Sequence, residues 1–84
     1  MERFSNIKMN WFRDGENLTK FFEFKDFNSS LDFVNKVATV ANKLNHHPTI
    51  LIDYNKVEIK TTTHDAGNII TEKDYQLCRE IDKI

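Results

Sequence analysis

The sequence contains very little cysteine, proline and glycine, and it has no long apolar run. Its 84 residues include one cysteine, one proline and two glycines. The single Cys78 excludes an intramolecular disulfide and any metal site built from several cysteines, and it fits a reducing compartment. No segment approaches the roughly 20 apolar residues of a transmembrane helix, and the N-terminus lacks the apolar run of a secretory signal. We therefore expect a cytoplasmic protein that has no membrane partner.

The sequence also lacks a dominant charge. Twelve basic and thirteen acidic residues give a formal net charge of −1. Proteins that bind nucleic acid normally carry a clustered basic face, so this balance predicts no nucleic-acid partner. An RNA-binding module in which Trp11 and the phenylalanines stack on bases is the alternative that the charge disfavours.

The sequence is rich in aromatic residues. Seven phenylalanines, two tyrosines and one tryptophan occur in a chain long enough for a single domain, residues 1–84. A chain of this size buries only about 60–65% of the surface that its unfolded form exposes, so its core is thin. We expect a second subunit to cover part of the remaining apolar surface, which predicts a homo-oligomer.

The first half of the chain predicts a hairpin followed by a helix. Residues 7–12 alternate apolar and polar as a half-buried strand does, and Asp14-Gly15 is a strong hairpin turn signal before a second strand at 18–25. The polar run 28–30 offers N-cap oxygens for a helix with a broad apolar face, and Asp32 places a negative charge near its start. This helix should end near Asn45, because Pro48 cannot continue it and disfavours α conformation in the preceding residue.

The second half predicts two more strands and a final helix. Residues 49–53 and 57–63 are rich in β-branched side chains, and a loop at 65–68 follows them. Thr71 and Asp74 resemble a capping box that opens a helix running to the C-terminus. The order ββαββα predicts an α+β fold, a four-stranded antiparallel sheet with helices packed on one face.

All three histidines lie within one short stretch. His46 and His47 directly precede Pro48, and His64 comes eighteen residues after His46. Histidine titrates near neutral pH, so the cluster suggests proton transfer or metal binding. A cap at the helix C-terminus is the simpler interpretation for His46 and His47. A zinc site is disfavoured, because adjacent histidines rarely chelate one ion and no HExxH or cysteine spacing supports them.

The spacing of these residues resembles that of one known family. His-His-Pro at 46–48, then Tyr54, His64 and Asp74, is similar to the signature of pterin-4a-carbinolamine dehydratases. Further similarities lie in Trp11, in the Phe22-x-Phe24-x-Asp26-Phe27 segment, in Phe33, in 54–57 and in the Thr71-x-x-Asp74 helix start. The resemblance covers nearly the whole chain.

The resemblance implies a function and a set of roles. It implies dehydration of 4a-hydroxytetrahydropterin to quinonoid dihydropterin, which recycles the pterin of aromatic amino acid hydroxylases, in a homodimer or homotetramer that needs no metal or organic cofactor. The catalytic residues implied are His46, as principal acid/base at the 4a-hydroxyl, His64, acting from another side of the pterin, and His47, which orients the ring. The implied substrate-binding residues are Asn42, Asn45 and Thr63, with Tyr54 and Asp74 supporting the site.

Two features of the sequence depart from that family. A charged residue usually stands four positions before the first histidine, where this chain has Asn42, an amide that cannot act as a carboxylate. Many relatives also carry a helix before the first strand, where this chain begins almost directly with that strand.

Because some animal members act as dimerisation partners of a transcription factor, a non-enzymatic interaction module is the alternative function.

Overall fold

The strands and helices follow the predicted order. A computed structural model describes residues 10–84. Its elements are β1 (Phe12–Asp14), β2 (Asn17–Glu23), α1 (Phe27–Leu44), β3 (Thr49–Asp53), β4 (Lys56–Thr61) and α2 (Glu72–Ile81), with a short 3₁₀ turn at His64–Ala66. The strands form one antiparallel sheet in the order β1-β2-β4-β3. The predicted α+β fold is confirmed.

The first hairpin lies where the turn signal placed it, but its strands are shifted. Asp14 pairs with Asn17, and Gly15 adopts the positive φ of 63° that a tight turn favours in glycine. The strand predicted at 7–12 is observed only as β1, with Trp11 just before it, and its residues 7–9 lie outside the described part of the chain. The second strand starts one residue earlier and ends two residues earlier than predicted.

Helix α1 begins earlier than its polar run suggests. The N-cap is Asp26, whose side chain accepts a hydrogen bond of 2.8 Å from the backbone N–H of Ser29. The prediction of an N-cap within 28–30 is therefore wrong, and Asp32 lies beyond the first turn. The physical reason is that Asp26 is a strong N-cap residue in extended conformation, which leaves the serines inside the helix.

The second half of the chain matches the prediction closely. Strand β3 has the predicted bounds, while β4 starts one residue earlier than predicted and ends two residues earlier, at Thr61. The predicted loop contains the end of the 3₁₀ turn. At α2 both arms of the capping box are present: the Thr71 side chain accepts from the first turn, and the Asp74 side chain accepts from the Thr71 backbone.

The helices cover one face of the sheet. The core joins side chains of α1, β4 and α2, namely Phe33, Val37, Ala41, Val57, Ile59, Leu77 and Ile81. Phe12, Phe21 and Leu51 are exposed, and the rings of Phe12 and Phe21 stack 6.0 Å apart. Antiparallel register puts Phe12 opposite the buried Thr19, and Phe21 and Leu51 both opposite Glu58, on the face away from the helices.

Candidate active site

The register of the second hairpin brings the three histidines together. Thr49 at the start of β3 pairs with Lys60 near the end of β4. The segment before β3 and the segment after β4 therefore lie at the same end of the sheet. That end holds a pocket of about 240 Å³, which is lined by Asn45, His46, His47, Thr62, Thr63, His64, Asp65 and Lys73.

Asn45 turns the chain out of α1 and into this pocket. It is the C-cap residue, with φ 53° and ψ 42°, a left-handed conformation that asparagine tolerates better than most residues. Its backbone N–H and that of His46 bond to carbonyls of the last helical turn. Helix α1 thus ends at Leu44 with Asn45 as its C-cap, and the two histidines that follow bond to different partners.

His46 is paired with a buried carboxylate. Its Nε2 lies 2.7 Å from Oδ1 of Asp74, and the Asp74 side chain is fully buried. A carboxylate can only accept, so Nε2 carries a proton that it donates to Asp74. Nδ1 remains as the ring nitrogen of His46 that is not committed to this bond.

Asp74 is held by four hydrogen bonds. Besides His46, the hydroxyls of Thr61 and Thr63 and the backbone N–H of Thr71 donate to it, at distances of 2.7, 2.8 and 2.8 Å. Burial acts to raise the pKa of Asp74, but these hydrogen bonds outweigh burial and hold that pKa below the ordinary carboxyl value. Asp74 is therefore a fixed negative charge behind His46.

His47 and His64 each face an amide instead of a carboxylate. Nε2 of His47 lies 2.9 Å from Oδ1 of Asn42, and Nδ1 of His64 lies 2.7 Å from Oδ1 of Asn68. An amide oxygen only accepts, so each of these ring nitrogens is a donor. The ring nitrogen outside this bond is Nδ1 in His47 and Nε2 in His64.

The predicted substrate-binding residues differ in how much of their side chain is free. Asn42 does not line the pocket, and its amide oxygen is engaged by His47. Thr63 is buried, and because its own proton goes to Asp74, it accepts the hydroxyl of Thr71 at 2.6 Å. Only the backbone of Thr63 is left for a ligand, whereas Asn45 lines the pocket directly.

The structure does not bring Tyr54 to this pocket. Tyr54 lies in the turn between β3 and β4, has φ 53° and is 62% exposed. The histidine pocket lies at the other end of the same hairpin, about 13 Å away along the strand at about 3.3 Å per residue. Within residues 10–84, Tyr54 is not among the residues that line the pocket, so no contact there supports its predicted role.

Several residues of the site were missed by the sequence analysis. Thr61 donates to Asp74, Asn68 bonds to His64, and Lys73 lines the pocket. Lys73 could have been found, because it lies beside Asp74 in the first turn of a predicted helix. The bond from His64 to Asn68 depends on the left-handed backbone of Asn68, which no pattern in the sequence indicates.

The described residues contain neither a cluster of side chains suited to a metal ion nor a helix that could span a membrane. Between residues 10 and 84, no three or more His, Cys, Asp and Glu side chains are grouped so that they could hold a metal ion. In the same part of the chain, no helix has the length and apolarity needed to cross a membrane.

Comparison with known proteins points to one family. The family model described as pterin 4 alpha carbinolamine dehydratase matches residues 2–84. A Sulfurisphaera tokodaii protein, provisionally named a pterin-4-alpha-carbinolamine dehydratase, is 43% identical over 79 residues, which cover 94% of this chain and 84% of that protein. A Thermomicrobium roseum protein with the same provisional name is 45% identical over 71 residues, 84% of this chain and 75% of that protein.

Two solved structures are similar to this one. A crystal structure described as a transcriptional coactivator/pterin dehydratase from Brucella melitensis has a TM-score of 0.81 and 32% identity, and the match covers 98% of this chain and 97% of that one. A pterin dehydratase-like protein identified as a RuBisCO assembly factor in the alpha-carboxysome has a TM-score of 0.72 and 21% identity, over 87% and 86% of the two chains. The second match shows the shared fold alone.

Proposed function

Because the chain belongs to the pterin-4a-carbinolamine dehydratase family, we propose that it dehydrates a 4a-hydroxytetrahydropterin to the quinonoid dihydropterin and water. The observation that carries this proposal is the pairing of His46 with the buried Asp74 in a pocket that also holds His47 and His64. Family membership supplies the substrate class, and the pocket supplies groups suited to the reaction.

The reaction needs an acid and a base in one pocket. Hydroxide is a poor leaving group, so the 4a-hydroxyl oxygen must be protonated as its bond to C4a breaks. The N5 lone pair then forms the C4a=N5 double bond, and the N5 proton must be removed. Water leaves, and the proton removed from N5 balances the proton given to the 4a-hydroxyl oxygen.

His46 is suited to the acid role. The Asp74 carboxylate accepts Nε2–H, as the carboxylate of a catalytic triad does for its histidine, and the acid role uses the doubly protonated ring. In that form Nε2–H bonds to Asp74 and Nδ1–H is available to the leaving oxygen. The short distance and the burial of Asp74 fix the ring, so its orientation requires no rearrangement during the reaction.

His64 is suited to the base role. Its Nδ1 donates to the uncharged amide of Asn68, which leaves Nε2 as the nitrogen that can accept a proton. The neutral ring can accept the N5 proton on Nε2 and pass it back to His46 through solvent. His47, bonded to the amide of Asn42, is the third ring of the pocket, which we propose orients the pterin.

A wild-type assay separates catalysis from a purely binding role. Synthetic 4a-hydroxytetrahydropterin dehydrates slowly by itself, so stopped-flow absorbance with and without the protein measures the catalysed rate. We expect a rate that rises in proportion to protein concentration. A rate equal to the uncatalysed one at every concentration would refute the dehydratase proposal.

An interaction module is the second candidate. The Brucella protein is described as a coactivator as well as a dehydratase, and among residues 10–84 Phe12, Phe21 and Leu51 are exposed on the sheet face away from the helices. Exposed apolar patches mark interaction surfaces in many proteins. A Phe21→Ser variant that keeps its dehydration rate but changes its molar mass by light scattering would assign that face to self-association, which is the predicted homo-oligomer.

A further inference from the structure

We propose that Asn68 positions His64 by holding its Nδ1 proton, so that Nε2 is the basic nitrogen offered to the substrate. Asn68 does not line the pocket, and it acts only through His64. The inference deepens the proposed dehydratase function, because it rests on His64 as the base of that reaction.

The hydrogen bond itself selects the tautomer. Oδ1 of Asn68 lies 2.7 Å from Nδ1 of His64, and an amide oxygen can only accept. The proton of the neutral ring is therefore on Nδ1 and the lone pair on Nε2. Neutral histidine in water prefers the opposite arrangement, so this tautomer of His64 depends on an acceptor beside Nδ1.

The backbone of the loop fixes the position of that acceptor. Gly67 and Asn68 are both left-handed, with φ of 89° and 62°. The N–H of Gly67 bonds to the carbonyl of His64, and the N–H of Asn68 bonds to the carbonyl of Thr63. The loop thereby folds back on His64, and the short side chain of Asn68 reaches the ring four residues earlier.

The proposed base role of His64 suits an uncharged partner at Nδ1, the amide of Asn68. The groups that line the same pocket are His46 and His47 from the end of α1, Asp65 from the 3₁₀ turn and Lys73 from α2. Asp65 lines the pocket, but the group bonded to Nδ1 of His64 is the amide of Asn68. A carboxylate bonded to that nitrogen, as Asp74 is to His46, would favour the doubly protonated ring, which cannot act as a base. The amide of Asn68 fixes the ring of His64 without adding charge, whereas Asp74 fixes the ring of His46 and places a negative charge beside it.

The test combines NMR with two substitutions at residue 68. Long-range nitrogen–proton spectra of the wild type report which ring nitrogen of His64 carries the proton. Asn68→Gly removes the acceptor at a position where glycine tolerates the positive φ. Asn68→Asp keeps the acceptor and adds a charge. Asn35→Asp, on the exposed surface of α1, is the matched control for added charge.

The expected results are specific to positioning. Wild-type His64 should show Nδ1–H, and Asn68→Gly should shift the ring toward Nε2–H and lower the dehydration rate about tenfold. Asn68→Asp should keep Nδ1–H and shift the acidic limb of the rate profile to higher pH, because the added carboxylate favours the doubly protonated ring. Asn35→Asp should change neither the tautomer of His64 nor the pH profile of the rate.

Two results would overturn the proposal. One is an Nε2–H tautomer in the wild type, and the other is an Asn68→Gly variant with unchanged tautomer and rate. The NMR measurement does not depend on activity. If the wild type fails to dehydrate the pterin while Asn68→Gly still shifts the tautomer, the positioning by Asn68 stands and the proposed function fails.

Discussion

Nε2 of His46 and Oδ1 of Asp74 lie 2.7 Å apart, although 28 residues separate them in the sequence. The capping box of α2 accounts for the position of Asp74. One carboxylate oxygen accepts from the Thr71 backbone and closes the helix start, while the other accepts from His46. A residue that reads as a helix cap in the sequence is therefore also the partner of the proposed acid.

Removing the Asp74 carboxylate should lower both stability and rate. Asp74→Ala removes the acceptor of four donors, two of which are the buried hydroxyls of Thr61 and Thr63, and we expect a loss of about 3–5 kcal/mol in the free energy of unfolding by urea. Asp74→Asn keeps the shape and should stay folded, with a dehydration rate at least about tenfold lower. Asp32→Asn, on the exposed surface of α1, is the control. An Asp74→Asn protein with the wild-type rate would exclude Asp74 from a role in catalysis.

Acid should destabilise the protein through the same carboxylate. The hydrogen bonds to Asp74 hold its pKa below the ordinary value of 3.8, so the folded state binds fewer protons there than the unfolded state. The resulting stability is fully present above the unfolded pKa and is lost as the pH falls through the lower, folded one. Urea unfolding at several pH values from 6 to 2 should show this decline. Asp74→Asn should decline less steeply, and an equally steep decline would assign the effect to other carboxylates.

Asn45 both ends helix α1 and lines the pocket, and substitutions can separate these two roles. Its left-handed conformation should make Asn45→Ala cost about 1–2 kcal/mol in the free energy of unfolding, whereas Asn45→Gly should cost less. If the side chain also binds the pterin, both variants should raise KM. A KM that stays unchanged in Asn45→Gly would restrict Asn45 to ending the helix.

The thiol of Cys78 should be unreactive in the folded protein. Burial raises its pKa, with smaller contributions from the nearby charges of Asp82 and Asp74, and the side chain is fully enclosed. We expect no reaction with a thiol reagent at pH 8 until urea unfolds the chain, and then one thiol per chain. Rapid labelling under native conditions would contradict the buried position of Cys78.

Much of the fold and part of the site could be predicted from the sequence. The alternation of apolar residues, the Asp14-Gly15 turn and the position of Pro48 predicted the elements, because these signals are local. The approach of His64 to His46 follows from the second hairpin, since β3 begins just after His47 and β4 ends just before His64.

The ring partners could not be predicted in the same way. Which oxygen faces which nitrogen depends on the left-handed turns at Asn45 and Asn68 and on the docking of α2 against β4. These are tertiary arrangements that residue spacing does not encode. For the same reason the N-cap of α1 was misplaced, because several neighbouring residues could each have capped it.

The most direct measurement is the dehydration rate of the His46→Ala variant beside the wild type. Stopped-flow absorbance with synthetic 4a-hydroxytetrahydropterin gives both rates, and circular dichroism establishes that the variant is folded. We expect the catalysed rate to fall by about 10²–10⁴-fold in His46→Ala. A folded His46→Ala protein that dehydrates the pterin at the wild-type rate would contradict this expectation.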